Sequence, residues 1–133
     1  MDKIEHIGIA VKDLAVSNKL FASLFNQAPY KLEIVESESV STSFFQVGET
    51  KIELLASTAE SSAIAKFIDK KGEGVHHLAF AVKDIYAEVE RLMAEGFEPI
   101  SKEPKIGADN KLVFFFHPKS TNGVLIELCQ ERG

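Results

Sequence analysis

The nonapeptide HIGIAVKDL at residues 6–14 returns as HLAFAVKDI at residues 77–85. From His6 to Asp13 and from His77 to Asp84, five of eight positions are identical: the His, Ala, Val, Lys and Asp. The likeness continues downstream, where KIELL around Glu53 pairs with LIELC around Glu127. A repeat of this length implies one supersecondary unit made twice, and 133 residues leave room for two small halves that share a core.

Each copy reads the same way. In the first, Ile4, His6, Gly8 and Ala10 alternate with Glu5, Ile7, Ile9 and Val11, the pattern of a largely buried strand. Asp13 is placed to cap a helix that puts Leu20, Phe21, Leu24 and Phe25 on one side at helical spacing. After Pro29, KLEIVES, VSTSFFQV and TKIELLA read as three strands, the last two joined by a turn at Gly48 and Glu49. The segment STAESSAIAKFIDKKGEG predicts a short connecting helix and a glycine-rich link. The second copy repeats the order with strand VHHLAFAV, a helix capped by Asp84 and stopped by Gly96, then FEPISK, KLVFFFH and GVLIELCQ. The expected fold is α+β: two βαβββ units, about 3–57 and 74–130, with a linker helix at about 58–73. Curved mixed sheets joined side by side, helices outside and a site on the inner face, would bury what neither unit buries alone.

Composition removes several function classes. Cys129 is the single cysteine, so no intramolecular disulfide or thiolate-clustered zinc site forms within one chain. The net charge is −5, and the basic residues form no long cluster, so a nucleic-acid surface is not expected. No apolar run approaches a membrane span, and MDKIEHIGIAVKD lacks the features of a secretory or transit segment, so a cytoplasmic protein is expected.

Alternation also locates chemistry. Ile52 and Leu54 point away from Glu53, as do Ile126 and Leu128 from Glu127. With the aliphatic residues in the core, both carboxylates face the inner side, where burial is costly unless they meet a cation or hydrogen-bond donors. His6 and His77 open the first strand of each unit at equivalent places, completing a set of two imidazoles and two carboxylates. Such donors suit zinc, cobalt, manganese, iron or nickel. Singly, each is an ordinary strand residue; it is their placement at duplicated positions that argues for a joint role. His76 should face away from His77, His117 closes a strand at the rim, and Cys129 reads as a packing residue.

On HIGIAVKDL, TKIELL, GEGVHHLAFAV, EPKIGADNK and HPKSTNGVLIEL, the sequence resembles the vicinal oxygen chelate superfamily, the glyoxalase/bleomycin resistance proteins, and within it the methylmalonyl-CoA epimerases. The resemblance spans nearly the whole chain as one domain, 1–133. It implies a divalent metal held by His6, Glu53, His77 and Glu127, an acyl-CoA substrate inverted at C2, and a homodimer. It further implies that Glu127 carries a proton. The family's second acid/base carboxylate, on the third strand, aligns here with Ser43, a substrate contact too weak as a base. Glu53 or an ordered water is then expected in that role. Lys105 and Lys119, with Lys111 behind them, are the expected phosphate contacts. Competing expectations are a glyoxalase I-like lyase, against which stands the absence of arginine from HIGIAVKDL, and a metal-free small-molecule binder of the same fold.

Overall fold

The computed structural model describes residues 1–132. Its elements are β1 (Lys3–Ala10), α1 (Leu14–Phe25), β2 (Lys31–Val35), β3 (Val40–Val47), β4 (Thr50–Ser57), α2 (Ala63–Lys71), β5 (Gly74–Ala81), α3 (Ile85–Ala94), β6 (Lys105–Ile106), β7 (Lys111–Phe116) and β8 (Ile126–Glu131). The class is α+β, and the order βαβββ occurs twice. Two compact units result, one formed by His6–His76 and the other by Met1–Glu5 with the chain from His77 onward.

In the amino-terminal unit the strand order is β2-β3-β4-β1. β1 runs parallel to β4, while β4, β3 and β2 are antiparallel neighbours. One face packs Val11, Phe45, Leu54 and Ala56 against Leu14, Phe21 and Phe25 of α1. On the other face Ala10, Val40 and Leu55 meet Ile64, Phe67 and Ile68 of α2. Asp13 starts α1 as its sequence position predicts, Oδ1 accepting the Val16 N–H at 3.1 Å. This satisfies one of the amides that a helix start leaves without an internal partner. The β3–β4 turn uses Gly48 at φ 61°, in the left-handed region where glycine is unstrained.

The carboxy-terminal unit follows the same plan with order β5-β8-β7-β6, β5 parallel to β8 and the remaining pairs antiparallel. α3 buries Ile85, Val89 and Leu92 against Phe114, Phe116 and Leu128. Asp84 repeats the cap, accepting the Ala87 N–H at 3.1 Å. One element departs from expectation. FEPISK forms no regular strand: it meets the end of β7 through an isolated bridge between Pro99 and Phe116 and through the Ile100 N–H donating to the Phe115 carbonyl at 2.9 Å, and the short β6 lies farther on at Lys105–Ile106. Pro99 and Pro104 lack the N–H that a ladder requires, which confines pairing here to a two-residue edge. No helix among the described residues is long and apolar enough to cross a membrane.

Candidate active site

Strand register decides which side chains share a face, because directly paired residues point the same way. In the amino-terminal unit Phe44 pairs with Glu53 and Gly8 with Glu53, while His6 pairs with Lys51. His6, Glu53, Phe44 and Thr42 therefore occupy the face opposite α1. His6 Nδ1 lies 3.1 Å from Glu53 Oε2, both side chains being almost fully buried. A carboxylate at such depth needs a donor or a cation, and the imidazole occupies that place.

The carboxy-terminal unit contains the counterpart. Ala79 pairs with Glu127 and Phe115 with Glu127, so His77, Glu127, Phe115 and Cys129 share the face opposite α3. His77 Nε2 lies 2.9 Å from Glu127 Oε1. The Cys129 thiol donates to Glu127 Oε2 at 3.2 Å, so both carboxylate oxygens are engaged. The edge of the His77 ring meets Phe115, with centroids 5.9 Å apart, which limits its rotation. Each unit thus carries one buried histidine–glutamate couple at the duplicated position. Neutral imidazole nitrogens and carboxylate oxygens, desolvated and preplaced, are a donor set that fits a divalent first-row ion.

The other sequence candidates are distributed unevenly. Ser43 pairs with Leu54 and lies with Phe45 on the α1 face, fully buried, away from the face of Glu53. The residue on the face of Glu53 is its neighbour Thr42, also fully buried, whose Oγ1 makes no hydrogen bond within the chain. The two-residue turn at Gly48 and Glu49 sets this register, and counting back through it from Glu53 would have distinguished the two positions. Lys105 pairs with Val113, which pairs with Cys129, so Lys105 stands on the face of Glu127 at the exposed sheet edge. Lys119 lies beyond the end of β7 with Nζ 3.0 Å from Glu98 Oε1. Lys111 is buried and pairs with Glu131 at 3.3 Å. With Glu5 and Cys129 it lines a cavity of about 340 Å³ on this side of the carboxy-terminal unit.

His76 faces away from His77, as alternation requires, and packs edge-on against Phe67 of α2. His117 Nδ1 accepts the Lys119 N–H at 3.1 Å and so shapes the turn after β7. Cys129, read as a packing residue on the side it shares with Glu127, is buried there and also donates its thiol to the carboxylate, since i and i+2 on a strand share a face.

The family model for the Glyoxalase/Bleomycin resistance protein/Dioxygenase superfamily matches residues 5–115. An ethylmalonyl-CoA/methylmalonyl-CoA epimerase of Cereibacter sphaeroides is 38% identical, over 96% of this chain and 97% of that protein. The mitochondrial methylmalonyl-CoA epimerase of Dictyostelium discoideum is 39% identical, over 95% of this chain and 76% of its own. Among solved structures, methylmalonyl-CoA epimerase from Mycobacterium tuberculosis superposes with a TM-score of 0.92 at 34% identity, covering 98% of this chain and 88% of that one. The chain belongs to the glyoxalase/bleomycin resistance protein/dioxygenase superfamily and, within it, to the methylmalonyl-CoA epimerase family.

Proposed function

We propose that this protein is a metal-dependent epimerase that inverts the C2 centre of methylmalonyl-CoA. The observation that carries the reading is the pair of buried histidine–glutamate couples, one in each unit, in a chain of this family. His6, Glu53, His77 and Glu127 would hold a divalent ion, with cobalt, zinc, manganese and nickel all matched to these donors. Such an ion supplies an electrophile for the thioester oxygen, where negative charge collects as the C2 proton leaves.

The chain's own residues then handle the proton. Inversion without redox chemistry needs one group to take the proton from C2 and another to return a proton to the opposite side. Glu127 is one of these carriers, oriented by His77 on one oxygen and by Cys129 on the other. Burial keeps bulk water from quenching the carbanionic centre with a random proton. Thr42, on the face of Glu53, is assigned the acyl-group contact in place of Ser43. Lys105, exposed at the sheet edge, and Lys119 are assigned to the CoA phosphates, as flexible point charges.

Loss of the C2 proton of methylmalonyl-CoA in deuterated water, followed by NMR, tests this reading. Cobalt-loaded protein is expected to catalyse exchange, and chelator-stripped protein to lose at least about 100-fold of that rate. Absence of exchange in both preparations would redirect attention to a glutathione hemithioacetal and then to binding alone.

We also propose a homodimer. Val16, Leu20 and Leu24 form an exposed stripe along α1, each more than 60% accessible, and Leu32 and Ile34 are equally exposed on the edge strand β2. An apolar stripe of this extent is a typical association surface. Sedimentation velocity is expected to give twice the chain mass for the native protein and the single mass for the Leu20→Glu, Leu24→Glu double variant.

A further inference from the structure

We propose that the cavity on the Glu127 face of the carboxy-terminal unit binds the pantetheine arm of the acyl-CoA substrate, with Lys111 as the donor that holds it; the inference rests on the epimerase reading above. The cavity, about 340 Å³, lies at the lower end of the roughly 300–1,000 Å³ typical of small-molecule sites. Lys111 pairs with Glu131, Val113 with Cys129 and Phe115 with Glu127, so the lining residues Lys111, Cys129 and Glu131 share the face of Glu127. Cys129 is two residues from Glu127, roughly 7 Å along the strand. A chain leaving a thioester held at Glu127 reaches the cavity within a few bonds.

Lys111 is built into the wall. Its side chain is 7% accessible, and its backbone carbonyl accepts the Gly107 N–H at 2.8 Å. An ammonium has three donors, and Nζ gives one of them to Glu131 Oε1 at 3.3 Å, a side chain that is itself 89% accessible. The remaining donor capacity of a buried ammonium is costly to leave unused, which favours an occupant that brings acceptors.

The charges of the lining choose among the parts of an acyl-CoA. Lys3, Lys83 and Lys111 stand there with Asp2, Glu5 and Glu131. Three cations balanced by three carboxylates do not select the multiply charged phosphates, and an alkyl group would strand both signs of charge. A neutral chain that alternates carbonyls with N–H and hydroxyl groups suits both. The pantetheine arm is such a chain: its two amide carbonyls accept from ammonium groups, and its amide and hydroxyl protons go to carboxylates. Glu5 and Lys111 are both buried, so these contacts form away from bulk water, where a hydrogen bond is stronger.

The test compares two truncated thioesters on cobalt-loaded protein: methylmalonyl-pantetheine, and methylmalonyl-N-acetylcysteamine, which ends after the first amide. Native protein is expected to epimerise the pantetheine ester with a kcat/KM at least about tenfold higher, the worth of a hydrogen bond to a charged group. Lys111→Met is expected to bring that ratio within about twofold of one. Each ratio is taken on one preparation, so a lower folded fraction or ion content cancels. Lys83→Ala, at the exposed rim, is expected to lower the ratio at least about twofold, and it carries the test if Lys111→Met does not fold. A native ratio within about twofold of one, an equal slowing of both esters by Lys111→Met, or, where that variant does not fold, an unchanged ratio in Lys83→Ala would overturn the assignment. Native protein that epimerises neither ester nor methylmalonyl-CoA would overturn the epimerase reading itself, a result recognisable before any variant is made.

Discussion

Glu127→Gln is expected to reduce epimerisation about 1,000-fold, in the middle of the range for loss of a general acid–base. Glutamine matches glutamate in size and can still accept from Cys129, whose thiol lies 3.2 Å from Oε2. It cannot hold and deliver a proton at C2. The substitution also places an amide opposite His77 Nε2, now 2.9 Å from Oε1, so some loss of metal affinity is expected too. Two measurements separate these causes: bound cobalt by elemental analysis, and the exchange rate per bound ion. A rate per ion within about tenfold of native would mean that Glu127 serves only as a ligand. Since the carboxylate is 5% exposed, rescue by added formate is not expected.

The largest effect on stability is expected at Phe114, which is 1% exposed at the centre of the carboxy-terminal core. Its ring lies 5.1 Å from that of Phe116 and belongs to the cluster with Ile85, Val89, Leu92 and Leu128. Phe114→Ala removes most of a buried ring, and the surrounding strand and helix can only partly close the void. A loss of about 3–5 kcal/mol follows, read from urea unfolding by circular dichroism. Phe114→Leu, which keeps much of the volume, should cost about 1.5 kcal/mol or less. A loss under about 1 kcal/mol for the alanine variant would show that α3 settles onto the sheet and fills the space.

These two sites differ in how far they could be read from the chain alone. Phe114 stands in KLVFFFH, where three consecutive phenylalanines exceed what one face can hold, and the run does not say which of them enters the helix-covered core. Pairing with β8 resolves it: Phe114 opposes Leu128 on the α3 side, and Phe115 opposes Glu127 on the other. Glu127 was legible because IEL carries its own alternation, aliphatic, acidic, aliphatic, and because KIELL repeats it. Asp13 and Asp84 were legible for a similar reason, since a helix cap is made with residues two or three positions away.

What failed to be legible depended on neighbours distant in sequence. Ser43 and Thr42 differ by one position, and a single-residue change of parity moves a side chain through the sheet. VSTSFFQV has polar residues on both faces at its start and two adjacent phenylalanines after them, so its internal pattern does not choose. Glu33 sits in KLEIVES, where alternation distinguishes Leu32 and Ile34 from Lys31, Glu33 and Val35 but suggests the aliphatic pair for the core. β2 is an edge strand, and its aliphatic pair is exposed beside α1 while the mixed face carries Glu33. FEPISK alternates as a strand does, but Pro99 offers no N–H to a ladder and meets Phe116 in an isolated bridge.

The duplicated βαβββ order, the caps and the two histidine–glutamate positions were thus determined by the sequence, because each rests on periodicity or on contacts a few residues apart. The face occupied by Thr42 and the exposure of Glu33 were decided by tertiary structure. They depend on ladder register and on which sheet face a helix covers, and local spacing carries neither.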